Sequence, residues 1–251
     1  MGCTLKLSIL AVAVVLANSV PVIAADKEAW ENIPDSASCI TAGADGSVWA
    51  IGTDRQKTGS SILRWNGKEW DKVDGAATKI AVDPKGVPWI INGKGEIFRR
   101  SKDSWEKLPG LGEEIAIGGD GVAWIVNKKS AGKGHAIQRW NGKDWDDIDG
   151  AAYKIAVDAK GIAWIINSFG DIFRREKDAW EKVPGNGKEI AAGADGSIWM
   201  VTTKSQAGGF HLARWDGKDW AGTDGVAIAV AVDKDGKPWV INNTKGVLRR
   251  K

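Results

Sequence analysis

Cysteine is nearly missing from this 251-residue chain, which has only Cys3 and Cys39. Cys3 falls in a leading segment that reads as cleavable, ahead of its apolar run and so not placed like a lipidation site. Cys39 then stands alone, which excludes an intramolecular disulfide and any cysteine-based zinc site, and it reads as a small residue in a strand. Histidine is as scarce, at two residues, and no H-E-x-x-H, G-x-S-x-G or metal-spaced cluster is present. Neither sign of charge dominates. The 35 Lys and Arg and 32 Asp and Glu are scattered, and the lack of a basic tract argues against a nucleic-acid partner. No apolar run reaches the ~20 residues needed to span a bilayer, and no stretch carries helical periodicity of any length. These absences leave an all-β chain that must hold itself together by packing.

Residues 1–24 read as a secretory signal: Lys6, then an apolar run at residues 7–17, then Val22-Ile23-Ala24 ahead of a cut before Ala25. An uncleaved anchor is the alternative, for which the run is short. The expected product is one secreted domain, residues 25–251, extracellular or periplasmic, without a membrane span and monomeric.

What the chain does have is repetition. Residues 80–100, IAVDPKGVPWIINGKGEIFRR, return as residues 155–175 and, more worn, as residues 230–250, spaced by 75 both times. A fixed period means stacked supersecondary units. Tryptophan, with 15 copies, refines the period. Trp30, Trp70, Trp105, Trp145, Trp180 and Trp220 stand alternately 40 and 35 residues apart, each opening a W-x-x-[apolar] segment. Trp49, Trp89, Trp124, Trp164, Trp199 and Trp239 follow the same alternation. The 75-residue unit is thus two related half-units, and three pairs make six.

Period-two alternation recurs in each half-unit. Ile80 and Val82 mark one strand, Trp89 and Ile91 a second, Ile97 and Arg99 a third, Trp105 and Leu108 a fourth, with Gly- and Asn-bearing turns between them. Four short antiparallel strands per unit make a propeller blade, so the expected fold is a six-bladed β-propeller with pseudo-threefold symmetry. The last unit lacks its fourth strand, while Trp30 to Pro34 is such a strand with no unit before it. The N-terminal strand is therefore expected to close the ring by pairing near Val247 and Arg249, removing free edges.

The motifs W-x-x-[IVL]-P-G, G-A-D-G-S-[VI]-W and the alternating I-x-R-W or I-F-R-R resemble tectonin repeats, found in tectonin, tachylectin-type and fish-egg lectins. The resemblance covers essentially all of residues 25–251. It implies a six-bladed propeller that binds glycans, often bacterial lipopolysaccharide or other surface saccharides, without catalysis or cofactor. It supplies no residue-level site.

The residues themselves offer two candidate sites. The twelve tryptophans shared by all half-units read most simply as core, each burying about 150–250 Å². Three remain: Trp65, Trp140 and Trp215, in R-W-N-G-K-[ED]-W or R-W-D-G-K-D-W. Asn-Gly or Asp-Gly there signals a hairpin, with Lys68 opposite Trp65. Such a Trp either packs beside Trp70 or stacks on a pyranose. The second candidate is the long connection at residues 53–61, 128–136 and 203–211. It reads as a solvated loop or as a cationic rim for acidic glycans, carrying Arg55, Lys57, Lys128, Lys129, Lys133, His135, Lys204 and His211. The two candidates sit at opposite ends of the third strand and so on opposite faces.

A lyase-type propeller enzyme is the strongest catalytic rival, but it needs an asymmetric acid–base constellation. The two histidines are not equivalent, since 75 residues beyond His135 stands Phe210. A protein-binding scaffold stays open, and would show one contiguous apolar patch rather than repeated polar sites.

Overall fold

The computed structural model describes residues 29–251, and the expected signal segment lies outside them. The chain runs through β1 (Trp30–Ala42), β2 (Val48–Gly52), β3 (Ser60–Trp65), β4 (Trp70–Ala77), β5 (Lys79–Val82), β6 (Pro88–Ile91) and β7 (Glu96–Ser101). It continues as β8 (Ser104–Ile117), β9 (Ala123–Ala131), β10 (Gly134–Trp140), β11 (Trp145–Ala152), β12 (Lys154–Val157), β13 (Ala163–Ile166) and β14 (Asp171–Glu176). It ends with β15 (Ala179–Ala192), β16 (Ile198–Gln206), β17 (Gly209–Trp215), β18 (Trp220–Ala227), β19 (Ala229–Val232), β20 (Pro238–Ile241) and β21 (Gly246–Arg250). No α-helix occurs among the described residues.

These strands form three seven-stranded sheets, ordered β19-β20-β21-β1-β2-β3-β4, β11-β10-β9-β8-β7-β6-β5 and β12-β13-β14-β15-β16-β17-β18. Each is centred on one long strand of 13 or 14 residues, β1, β8 or β15. Two separate short strands were expected there. Instead the first part of each long strand pairs with one neighbour and the last part with the other, as β1 does with β21 and then β2. Asp35, Gly110 and Gly185, all at positive φ, mark the changeover. Pro-Gly in β8 and β15, and Pro34-Asp35 in β1, therefore act as bulges, bending the strand without ending it. In β1, Trp30 lies opposite Arg250 and Ile33 opposite Val247, the pairing expected of the N-terminal strand.

The sheets are curled, and their core alternates between two kinds of place. Strands β20 and β3 are four positions apart in the first sheet, ~19 Å if it were flat. Yet the rings of Trp239 and Trp65, one on each, are 6.0 Å apart. Each sheet is thus creased along its long strand, and an apolar cluster fills each crease. Where one sheet meets the next, a seam is packed: Trp49, Ile51 and Ile62 against Ile80 and Ile90 between the first and second, with counterparts between second and third and between third and first. The seams follow one another around a ring. The innermost strands, β5, β12, β19 and the last parts of β1, β8 and β15, line a central channel of about 280 Å³.

Two of the three expected long loops are not loops. Residues 128–136 and 203–211 extend β9–β10 and β16–β17 into taller hairpins that turn at Gly132-Lys133 and at Ala207-Gly208. Only residues 53–59 stay irregular, and the Asp54 carboxylate pins them by accepting from the Ser61 amide (3.0 Å), the Ser61 hydroxyl (2.7 Å) and Gln56 Nε2 (3.1 Å).

Candidate functional site

The outer tryptophans divide into two populations. Trp70 and Trp145 are buried and Trp220 half-buried, and each indole donates to a proline carbonyl of a long strand: Pro34 (2.9 Å), Pro109 (2.8 Å) and Pro184 (2.8 Å). The counterparts Trp105, Trp180 and Trp30 are all half-buried and lie at the seams. Their surroundings repeat. Trp105 donates to the Asp74 carbonyl at 2.9 Å and Trp180 to that of Asp149 at 2.7 Å. Gly75 and Gly150, at φ of about 100°, allow this approach, because a Cβ there would come within 3.0 Å and 2.7 Å of the indole nitrogens. Over the indole faces lie Arg100 (5.1 Å), Arg175 (5.2 Å) and Arg250 (5.4 Å). Each guanidinium is held by the aspartate across the seam: Asp74 at 2.6 Å, Asp149 at 2.7 Å, and Asp224.

Beside these tryptophans open grooves. One of about 400 Å³ is lined by Gly132, Lys133, Gly150, Asn167, Phe173 and Trp180, among others. One of about 330 Å³ is lined by Gly208, Asp224, Val226, Asn242, Leu248 and Trp30, among others. Subtracting 75 from the first set gives Lys57, Thr58, Gly75, Asn92, Phe98 and Trp105 at the third seam. The hairpin tips bridge all three seams: the carbonyls of Thr58, Lys133 and Gly208 accept from the amides of Gly93, Ser168 and Asn243 at 2.7, 2.9 and 2.9 Å. Asn92 and Asn167 each donate to a carboxylate, Glu96 and Asp171. Gly246 stands at that position near Asn242, leaving its amide without such a partner. An aromatic ring with fixed Arg, Asp and Asn groups and exposed backbone suits a flat, polyhydroxylated ligand of monosaccharide size.

The residues singled out from the sequence fare differently. Trp65, Trp140 and Trp215 are half-buried in the creases, at 5.2, 5.0 and 5.2 Å from Trp70, Trp145 and Trp220, and at 6.0, 6.0 and 5.9 Å from Trp239, Trp89 and Trp164. The residue opposite Trp65 is Trp70, and not Lys68 as expected, because the turn spans residues 66–69 with the Asn66 side chain accepting from the Lys68 and Glu69 amides. Arg55, Lys57, Lys129 and Lys204 are exposed, and Lys128 donates to the Lys94 carbonyl at 3.3 Å. Lys133 lines a groove and sits 4.8 Å over the Phe169 ring. His135 stacks edge-on against Tyr153 at 5.0 Å with Nδ1 3.5 Å from Glu113, and His211 pairs with Val226 in β17. The structure does not gather these residues into one place. Trp30, Trp105 and Trp180, expected in the core, stand half-buried at the margins of the seam clusters. Their signal lies in the preceding half-unit, in the Asp-Gly that follows W-x-x-[apolar] at Trp70 and Trp145 and forms a bulge inside β4 and β11.

A family model for the tectonin domain matches residues 52–243. The chain belongs to the tectonin family. Among curated proteins none matches. Solved structures similar to this tectonin chain include a gluconolactonase, XC5397 from Xanthomonas campestris, at 15% identity with TM-score 0.63, covering 88% of each chain. YCF48 bound to D1 peptide is 16% identical with TM-score 0.57, over 91% of this chain and 84% of that one. A streptogramin B lyase is 15% identical with TM-score 0.55, over 88% and 97%. At these identities the likeness speaks for the fold alone, a propeller-like ring. Among the described residues of this tectonin chain no group of three or more His, Cys, Asp or Glu is placed to hold a metal ion.

Proposed function

We propose that this protein is a secreted, noncatalytic lectin. In this reading each creased sheet is a pair of four-stranded blades sharing their long strand, so that six blades surround the channel. Glycans of bacterial or other cell surfaces, lipopolysaccharide included, bind in the three seam grooves. The observation that carries the proposal is the threefold recurrence of one arrangement, a half-buried Trp under an Arg that an Asp holds across the seam. Binding energy comes from the indole stacking on the apolar face of a sugar ring, and orientation from the Arg, Asp and Asn groups around it. Lys133, whose equivalent positions carry Thr58 and Gly208, adds a cationic group to one groove and suits acidic sugars. Three weak sites on one face gain avidity on a dense surface through effective concentration.

A glycan array on the secreted chain, with lipopolysaccharides and methylated sugars, followed by calorimetric stoichiometry, tests this. About three weak sites per chain with much tighter binding to multivalent surfaces is the expected result. A single strong site, or a blank array, sinks it. A blank array leaves the protein-scaffold reading, which the exposed Tyr153 and Phe169 favour at 47% and 62% accessibility, and pull-down from native surfaces follows.

A further inference from the structure

The channel carries a second, unrelated pattern. Six equivalent positions, one per half-unit, ring its wall: Cys39, Lys79, Glu114, Lys154, Glu189 and Ala229. Four of them form one continuous chain of ion pairs. Glu114 Oε1 lies 2.5 Å from Lys79 Nζ and 2.7 Å from Lys154 Nζ, and Lys154 Nζ lies 2.9 Å from Glu189 Oε2. Solvent reaches all four side chains, at 18–28% accessibility. Burial alone would lower the Lys154 pKa, but the Glu189 and Glu114 carboxylates outweigh it and hold the ammonium firmly charged.

The repeat says what should complete the ring. Lys79 and Lys154 are 75 residues apart, as are Glu114 and Glu189. Continuing the series puts lysine at 229 and glutamate at 39, which would make a closed ring of alternating charge. Ala229 and Cys39 stand there instead, on neighbouring strands β19 and β1. Among the described residues Lys79 therefore pairs only with Glu114, and Glu189 only with Lys154. The two ends of the ion-pair chain face a gap with one missing anion beside Lys79 and one missing cation beside Glu189. Charges partly withdrawn from water gain most from a partner in fixed geometry. The ring itself is neutral, so a ligand with no net charge leaves it so.

We propose that the channel binds a compact zwitterion of the amino-acid type, its carboxylate against Lys79 and its ammonium against Glu189. The small Cys39 and Ala229 side chains make room for it. This site shares no residue with the seam grooves, so it stands or falls apart from glycan binding.

Calorimetric titration of the full chain with glycine, L-alanine and β-alanine, with acetate and methylammonium as half-ligands, tests the proposal. One site per chain is expected, with at least one zwitterion bound about tenfold more tightly than either half-ligand. The double variant Cys39→Glu, Ala229→Lys closes the ring and is expected to abolish binding while raising the thermal midpoint. Glu189→Gln alone is expected to weaken zwitterion binding about tenfold, and it decides the matter if the double variant does not fold. Zwitterions bound no better than the half-ligands overturn the assignment. So does unchanged affinity in either variant.

Discussion

Crease and seam are the same joint filled two ways. In β3 the residue opposite Trp70 is Trp65, and in β7 the residue opposite Trp105 is Arg100, so Trp and Arg occupy one structural position in alternate half-units. With Trp there, three indoles meet at 5–6.5 Å and seal the crease. With Arg there, the guanidinium lies over a single indole and reaches to an Asp of the next sheet, and the joint stays open enough to leave a groove. One residue type thus separates joints that only hold the ring from joints that also offer a surface. An odd number of alternations could not close in this way, whereas three pairs can.

The comparison is broken most forcefully by emptying a crease. Trp140→Ala is expected to cost about 3–5 kcal/mol in guanidinium chloride unfolding, because two neighbouring indoles lose their shared partner. Unaltered stability together with lost sugar binding would reverse the roles assigned to crease and seam. Emptying a seam should do less to the fold and more to the ligand. Trp180→Ala is expected to cost about 1–2 kcal/mol while calorimetric stoichiometry falls from three sites to two. Arg175→Trp sharpens the contrast by placing a crease residue in a seam. It should also remove one site, with stability changed by less than about 1 kcal/mol, since the ion pair it deletes is largely exposed at Asp149. The smallest effect concerns residues 53–59. Hydrogen bonds from Gln56 and Ser61 pull the Asp54 carboxyl down to about 2. Its contribution is therefore complete above the ordinary carboxylate pKa and fades as pH falls toward 2. Protection of the Ser61 amide, taken as its exchange relative to an unstructured amide at the same pH, should fall over that window in the wild type, and already be low near neutrality in Asp54→Asn.

The strands, the repeat and the pairing of the chain's ends were legible because period-two alternation and Trp spacing are local or periodic signals. The joined long strands were not, because a Pro-Gly pair at positive φ is the same in a turn and in a bulge, and only the pairing partners decide. The extended β9–β10 and β16–β17 hairpins were hidden likewise, their Lys- and Ser-rich stretches being polar on both sides. The grooves escaped for a different reason. Trp105 and Trp70 look alike in W-x-x-[apolar], and what distinguishes them sits opposite, at Arg100 and Trp65, and across the seam, at Asp74. Sequence spacing lists both partners but does not say which strand faces which. The ion-pair chain around the channel was visible as a 75-residue series all along, yet only the curl of the sheets turns that series into a ring.

The pairing of β1 with β21 reaches further than closure. Arg249 and Glu31, 218 residues apart, are ion-paired at 2.7 Å, so the first sheet cannot be completed until nearly the whole chain is present. Contacts this distant in sequence slow folding, because loop closure must precede any gain from them. A nascent chain would carry an unfinished first sheet, its half from β2 to β4 waiting for strands made last. The same proximity makes the chain a candidate for circular permutation. Joined through a short linker and reopened at the exposed turn after β7, it should reach the same ring by a different order of assembly, with its slowest step moved to another sheet.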